Sequence, residues 1–171
     1  MLKTIIQLPE IKLVGITSRT NNSLEKDPSS AKISSTIQTY FQGACSEKIL
    51  YRAKPGITHC VYTDYESDLK GDYTYFIGEE VSKFAEMAEG FSALVIPARN
   101  YVKFTSNPGT LPSLCINMWQ EIWSMSAQDL GGEREYLADF EIYDDRASNH
   151  QNAILDIYIG IKSENQRPSC T

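Results

Sequence analysis

Residues 5–18 of the chain read IIQLPEIKLVGITS, and residues 93–106, which lie 88 positions later, read ALVIPARNYVKFTS. In both stretches a short apolar run ends at a proline, and a strand-like segment follows that closes on Thr-Ser. A second correspondence comes later in the same order, because YFIG at 75–78 is echoed by IYIG at 157–160, 82 positions apart. Repeated elements in one order indicate a duplicated module. Two such modules packed side by side would share a cleft.

The composition of the 171-residue chain predicts one folded domain, because 42% of its residues are hydrophobic and 11% are aromatic. A net charge of −6 and a pI near 4.9 argue against direct nucleic-acid binding, which requires clustered lysine and arginine. The sequence contains neither a membrane-length apolar run nor a leader-type start. We therefore expect a soluble cytoplasmic protein without membrane association.

The four cysteines are widely spaced along the chain, and no two of them form a C-x-x-C pair. Only two histidines are available to complete a metal site. We therefore expect no disulfide, no bound metal and no cofactor. The cysteines are Cys45, Cys60, Cys115 and Cys170.

The first module is predicted to run strand, helix, strand, strand. Residues 11–19 form the first strand, and Asp27 caps a helix that has Pro28 in its first turn. The runs 58–66 and 72–81 are rich in tyrosine and flank a turn-forming cluster, which predicts a hairpin. Five residues of the helix fall on one face: Ile33, Ile37, Tyr40, Phe41 and Ala44.

The second module repeats this plan, with a strand at about 100–106, a helix at 111–125, and strands at about 135–144 and 153–162. We predict an α+β fold in which two pseudo-symmetric β-α-β-β modules form a mainly antiparallel sheet with two main helices and a central ligand groove. The boundaries are about 5–90 and 91–162 within one domain, followed by a flexible tail at 163–171. No segment is left for a helix-turn-helix, so a regulatory role would require a separate DNA-binding partner.

Alternation along the last two strands assigns residues to the two sheet faces. The apolar row from Leu155 to Ile161 is predicted to lie under a helix, with Phe140 and Ile142 on the same covered face. Glu141 and Tyr143 would then lie on the open face. Aligning 138–143 with 60–65 equates Tyr143 with Tyr65 and Glu141 with Thr63, so the carboxylate has no counterpart in the first module.

A carboxylate in an aromatic cleft favours a cationic, partly apolar guest, because burial without a counter-charge is costly and ring faces attract cations. The alternative, left open by the sequence, is a solvated strand residue paired with Arg134 or Lys103. The candidate walls beside Glu141 are Tyr143, Tyr158, Tyr65 and Phe76, with Gly78 and Gly160 at the floor.

Three further aromatic residues are candidates for the cleft. Trp119 and Trp123 lie one helical turn apart and either could reach the rim, although such a pair is also typical of a core. Tyr101 could stack on a guest or make an ordinary cross-strand contact. A separate acidic patch is predicted on the surface, formed by Glu79, Glu80, Glu86 and Glu89.

Five segments together resemble the GyrI-like effector-binding family, across about residues 3–162. This family is the drug-binding domain of AraC-type and MerR-type activators, and it also occurs as stand-alone and integron-cassette proteins. The resemblance implies a pseudo-twofold pair of modules, a central groove, and a strand glutamate in the second module that meets cationic ligands. Glu141 occupies that position. The segments are KLVGI at 12–16, VYTDYESD at 61–68, GDYTYFIGEEV at 71–81, DFEIY at 139–143 and DIYI at 156–159.

The leading functional hypothesis is a stand-alone binding protein for cationic amphipathic or drug-like compounds, without catalytic residues. The second is a hydrolase, since some members of the resembled family hydrolyse strained electrophilic natural products, and Glu141 would then be the general base. The third is a gyrase-inhibitor-like interaction module that uses the acidic patch.

Overall fold

The computed structural model describes residues 1–162, so the expected flexible tail and Cys170 lie outside the described residues. Eight strands form one antiparallel sheet in the order β1-β6-β8-β7-β3-β4-β2-β5. The α+β class and the two main helices, α2 and α3, are confirmed. The strands are β1 (Leu2–Leu8), β2 (Ile11–Thr20), β3 (Thr58–Thr63), β4 (Tyr73–Glu80), β5 (Ser92–Ile96), β6 (Arg99–Thr105), β7 (Ala138–Tyr143) and β8 (Asp156–Gly160). The helices are α1 (Asn22–Glu25), α2 (Ile33–Gln42), α3 (Ser113–Ser124) and α4 (Ala127–Leu130), with 3₁₀ turns at Cys45–Lys48 and Asp145–Ala147.

The edge strands β1 and β5 are additions to the predicted plan, and they are exchanged between the modules. β1 pairs with β6 of the second module, and β5 pairs with β2 of the first. Ile6 lies opposite Tyr101, and Leu94 lies opposite Leu13, so both registers fit the repeat offset of 88. The exchange ties the two modules into one sheet.

The sheet is strongly curled. Pro9 and Glu10 alone connect β1, at one edge, to β2, which lies next to the other edge. Three residue steps span at most about 11 Å, so the two edges must approach each other. The sheet face away from α2 and α3, here called the inner face, is therefore enclosed. Its apolar cluster draws on both edge strands and on the centre of the sheet: Ile6, Leu8, Leu94, Ile96, Val61, Phe76, Tyr101, Phe140 and Tyr158.

The opposite face, here called the helix face, carries two apolar clusters. Trp119 and Ile122 of α3 pack on Ile157 and Ile159 of β8, which confirms that this row of β8 lies under a helix. Tyr40 of α2 packs with the second cluster, on β3 and β4. The groove between the two helices lies over the central strands β3 and β7.

The start of α2 differs from the prediction, because Asp27 closes a separate turn instead of capping the helix. Its carbonyl oxygen accepts hydrogen bonds from the backbone N–H groups of Ser30 and Ala31. The carboxylate of Glu25 accepts from the N–H groups of residues 32 and 33 and so caps α2, which begins five residues later than expected. Phe41, expected on the packed face, is 62% exposed.

Cys45, Cys60 and Cys115 are free thiols. Among residues 1–162, no helix has the length and apolar content that crossing a membrane requires. Within the same residues, no three histidine, cysteine or acidic side chains are grouped as metal ligands.

His59 lies on the inner face, where burial lowers its pKa to about 4 and leaves Nδ1 without a hydrogen-bond partner. Above about pH 6.5 the imidazole is neutral in both the folded and the unfolded state. As the pH falls from there towards 4, only the unfolded state gains the proton, so folding is destabilised. We expect the wild-type protein to lose about 2 to 3 kcal/mol more stability than His59→Leu between pH 7.5 and pH 4.5, measured by urea unfolding. Parallel pH curves for the two proteins would contradict this assignment.

Candidate functional site

Glu141 lies on the helix face, so the predicted face assignment is wrong. It stands opposite Cys60 of β3 and opposite Ile157 of β8, the residue that packs under α3. Phe140 pairs with Tyr158, and therefore belongs to the inner face. The alternation of side chains assigns the residues of one strand to two faces, but it does not determine the register between two strands. The faces of β7 were therefore matched incorrectly to those of β8.

The proposed equivalence of Glu141 with Thr63 is also wrong. Thr63 pairs with Ala138, a residue of the inner-face cluster, whereas Glu141 points to the other side of the sheet. The residue directly across the central ladder from Glu141 is Cys60.

The carboxylate of Glu141 is held by three neutral donors. Oε1 accepts from the hydroxyl of Tyr62 at 2.9 Å and from the indole Nε1 of Trp119 at 2.6 Å, and Oε2 accepts from the hydroxyl of Tyr143 at 2.7 Å. Burial raises the pKa of both tyrosines well above the usual value, and the charge of Glu141 adds to this shift. Both hydroxyls therefore keep their protons and remain donors. Glu141 itself is only 2% exposed.

No basic side chain within residues 1–162 forms an ion pair with Glu141. Arg134 pairs with Asp139 at 2.7 Å, and Lys103 pairs with Asp156 at 3.2 Å. The alternative of a solvated, paired strand residue is therefore wrong. A buried carboxylate that has hydrogen bonds but no counter-charge is unusual and needs an explanation.

Aromatic rings surround this carboxylate between the two helices. Tyr62 and Tyr143 pack against both helix-face clusters, which places them in the groove. The ring of Tyr62 lies 4.9 Å from that of Trp119, and Trp119 lies 6.1 Å from Trp123, which is 41% exposed at the rim. The groove is therefore closed over Glu141 by its own rings.

Sequence reasoning missed Tyr62, together with Tyr73 and Tyr75, whose rings lie 5.6 and 5.5 Å from it. The sequence did show these tyrosines as a tyrosine-rich hairpin. Assigning them to the helix face, however, would have required the correct pairing register of the strands. Cys115 was also missed as a neighbour of the site. It lies one helical turn before Trp119, and burial raises the pKa of its thiol beside Glu141 and Tyr143.

Five of the ten predicted residues do not join Glu141, because they lie on the inner face. Phe140 stacks on Tyr158 at 4.6 Å and meets Tyr101 at 5.4 Å, so these rings form the core of the curled sheet. Gly78 allows two strands to pack closely and does not leave room for a guest. A Cβ at this position would lie 2.2 Å from the carbonyl oxygen of Val14. The five are Tyr158, Phe76, Tyr101, Gly78 and Gly160.

Tyr65 joins a second polar cluster on the helix face. Its hydroxyl donates to Oδ2 of Asp139 at 2.8 Å, and Arg134 donates to the same oxygen. The other carboxylate oxygen, Oδ1, accepts from the backbone N–H of Gly160 at 2.9 Å. Asp139 precedes Glu141 by two residues, so the two carboxylates point to the same side of β7.

The acidic patch needs one correction, because Glu79 is buried. It lies 3.5 Å from Arg52, beneath the residues that follow α2. Burial raises the pKa of its carboxyl, although the N–H of Gly56 and the charge of Arg52 oppose the shift. Of the predicted set, Glu86 and Glu89 are exposed and Glu80 is partly buried.

The sequence profile of a family described as "Integron-associated effector binding protein" matches residues 4–161. The Bacillus subtilis (strain 168) protein YobU, named as a proposed transcriptional regulator, is 28% identical over 152 residues, which cover 88% of this chain and 92% of YobU. The fold resembles that of a Vibrio cholerae integron cassette protein, with a TM-score of 0.75, 23% identity, and 94% and 95% of the two chains covered. It also resembles SAV2435, solved bound to tetraphenylphosphonium, with a TM-score of 0.73, 21% identity and 95% of each chain covered.

Proposed function

Because the chain belongs to the family of integron-associated effector binding proteins, we propose that its effector is an amphipathic cation held by Glu141 in the groove between α2 and α3. The observation that carries this proposal is the environment of the Glu141 carboxylate, which is buried, hydrogen-bonded only by neutral groups, and not paired with a basic side chain of residues 1–162. A guest cation would supply the missing counter-charge.

The surroundings of Glu141 favour an organic cation over a hydrated metal ion. Its neighbours Tyr62, Trp119 and Tyr143 present ring faces, each of which attracts a cation by about 0.5 to 2 kcal/mol, depending on desolvation. The same rings offer apolar surface to the guest's hydrocarbon groups. The solved complex of SAV2435 with tetraphenylphosphonium, an apolar monocation, supports this chemical class.

A guest must displace rings to reach Glu141, and α3 is the element that carries the largest of them, Trp119. Neither end of α3 has a side-chain hydrogen-bond cap, since its flanking residues are Pro112 and Met125. No side-chain cap therefore anchors the terminal turns of α3. We propose that the guest enters beside the exposed Trp123 and takes the place of the indole against the carboxylate.

The two alternative functions have weaker support in this geometry. Hydrolysis requires Glu141 to activate a water molecule, but both of its oxygens already accept hydrogen bonds from side chains. The interaction hypothesis requires an exposed acidic surface, but Glu79 is buried and Glu80 is paired with Lys54 at 3.2 Å. We propose that any effect on transcription passes through a separate DNA-binding protein.

The test is a thermal-shift titration with tetraphenylphosphonium and tetraphenylborate, which have similar size and opposite charge. At a ligand concentration of 100 Kd, binding adds about 2.7 kcal/mol of stability, which corresponds to a Tm increase of roughly 5 to 10 °C in a domain of this size. We expect this increase with the phosphonium and none with the borate. Equal shifts with both ions would show that apolar contact alone drives binding, and would refute the role of charge.

A further inference from the structure

Arg134 is a cation already enclosed in the groove. Its guanidinium donates from Nη2 at 2.7 Å and from Nε at 3.2 Å to Oδ2 of Asp139. Its side chain is 8% exposed and that of Asp139 is 0% exposed. Burial lowers the pKa of Arg134, but the charge of Asp139 and the neighbouring tyrosines outweigh this and raise it above the usual value. The guanidinium therefore stays charged inside the protein.

Aromatic rings surround this guanidinium on several sides. Its Cζ lies 4.5 Å from the ring centre of Tyr136, 6.0 Å from that of Tyr65 and 5.9 Å from that of Trp119. These separations fall within the range of cation–π attraction. The site around Arg134 thus consists of one carboxylate and several rings. The site formed by Glu141 and its aromatic neighbours has the same composition. The chain thus holds one of its own side chains in the way in which it would hold a guest.

The two positions are neighbours that share Trp119. The indole donates to Glu141 from Nε1 at 2.6 Å, while Arg134 approaches the same ring system. Asp139 and Glu141 are alternate residues of β7, which places their backbones about 7 Å apart. Tyr62 lies opposite Asp139 in the ladder and donates its hydroxyl to Glu141, so it spans both positions.

We propose that Arg134 is a specificity-determining residue that fills the second of two adjoining cation positions, so that the groove accepts guests with one positive charge and rejects dications with charges about 7 Å apart. The inference rests on the proposed function of Glu141. In the wild-type protein, a second guest charge would meet the guanidinium of Arg134 and be repelled. Without Arg134, Asp139 would become an acceptor for that second charge.

The test compares two probes of equal chain length, pentyltrimethylammonium and pentane-1,5-bis(trimethylammonium), by titration calorimetry. In the wild-type protein we expect the dication to bind no more tightly than the monocation. In Arg134→Ala we expect the affinity ratio of dication to monocation to rise at least about tenfold, as one additional charge-assisted contact would give. The double variant Arg134→Ala/Asp139→Asn lacks the second carboxylate and should not show this rise.

A matched control is Arg19→Ala, which removes an exposed arginine bonded to the carbonyl of Asp64 and to Thr74. Its affinity ratio should equal that of the wild type. If Arg134→Ala still binds the monocation but its dication-to-monocation affinity ratio is unchanged, this inference is overturned. The proposed function of Glu141 is not affected by that result. Failure of the wild type to bind the monocation would refute the function of Glu141, and with it this inference.

If Arg134→Ala does not fold unaided, ethylguanidinium provides a second measurement. The ion should enter the vacated position beside Asp139 and raise the Tm or the refolding yield of Arg134→Ala. It should not do so in Arg134→Ala/Asp139→Asn. If ethylguanidinium raises neither the Tm nor the refolding yield of Arg134→Ala, the proposed cation position at Asp139 is contradicted.

Discussion

Replacing Glu141 with Gln is expected to weaken the binding of tetraphenylphosphonium by roughly 30-fold to 5,000-fold, the range for loss of one partner of a buried charge pair. The amide retains an oxygen that can accept from Tyr62 and Trp119, so the shape of the groove is preserved. What is lost is the negative charge, which is the part of the site that the neutral donors cannot supply. Titration calorimetry with the phosphonium measures this change directly.

The same substitution separates binding from folding. Glu141→Gln removes a buried charge that has no counter-charge among residues 1–162, so we expect the free energy of unfolding without ligand to be no lower than in the wild type. Glu121→Gln is the matched control, because Glu121 is exposed on α3 and should leave affinity unchanged. Binding by Glu141→Gln with wild-type affinity would remove the basis of the proposed function.

The repeat predicted the fold because duplicated elements must pack in equivalent ways. The stretch at residues 5–18 and its copy at 93–106 indicated the two modules, and the structure shows both with their helices on one face of one sheet. The exchange of β1 and β5 could not be derived, because an edge strand pairs equally well, in principle, with either module. The short links at Pro9 and Pro97 then force the curl that encloses the inner face.

The candidate site was only half predictable, for a related reason. Glu141 was selected because it is a carboxylate in an aromatic strand and occupies the position that the family resemblance implies, and Tyr143 and Trp119 do donate hydrogen bonds to it. Tyr158 and Tyr101 were placed beside it because the β7–β8 register was shifted by one residue, which transfers a whole strand to the other face. Tyr62 was missed for a separate reason, because aligning 138–143 with 60–65 assigned Thr63, rather than its neighbour Tyr62, to the face of Glu141.

The largest effect on stability is expected from Asp139→Ala, which leaves the guanidinium of Arg134 buried without a counter-charge. Breaking a buried pair in this way costs about 3 to 5 kcal/mol. Asp139 also accepts from the hydroxyl of Tyr65 and from the N–H of Gly160, so the variant leaves further donors unsatisfied. We expect a Tm decrease of roughly 6 to 20 °C, with a corresponding shift of the urea midpoint.

Two comparisons show whether the unpaired charge is the cause. Asp139→Ala/Arg134→Met removes both charges and should be more stable than Asp139→Ala, because no buried ion is left without a partner. Lys54→Ala breaks the exposed pair with Glu80 and should cost no more than about 1 kcal/mol. A double variant as unstable as Asp139→Ala would instead assign the loss to the hydrogen bonds of Tyr65 and Gly160, and Arg134 would then contribute little to holding the groove together.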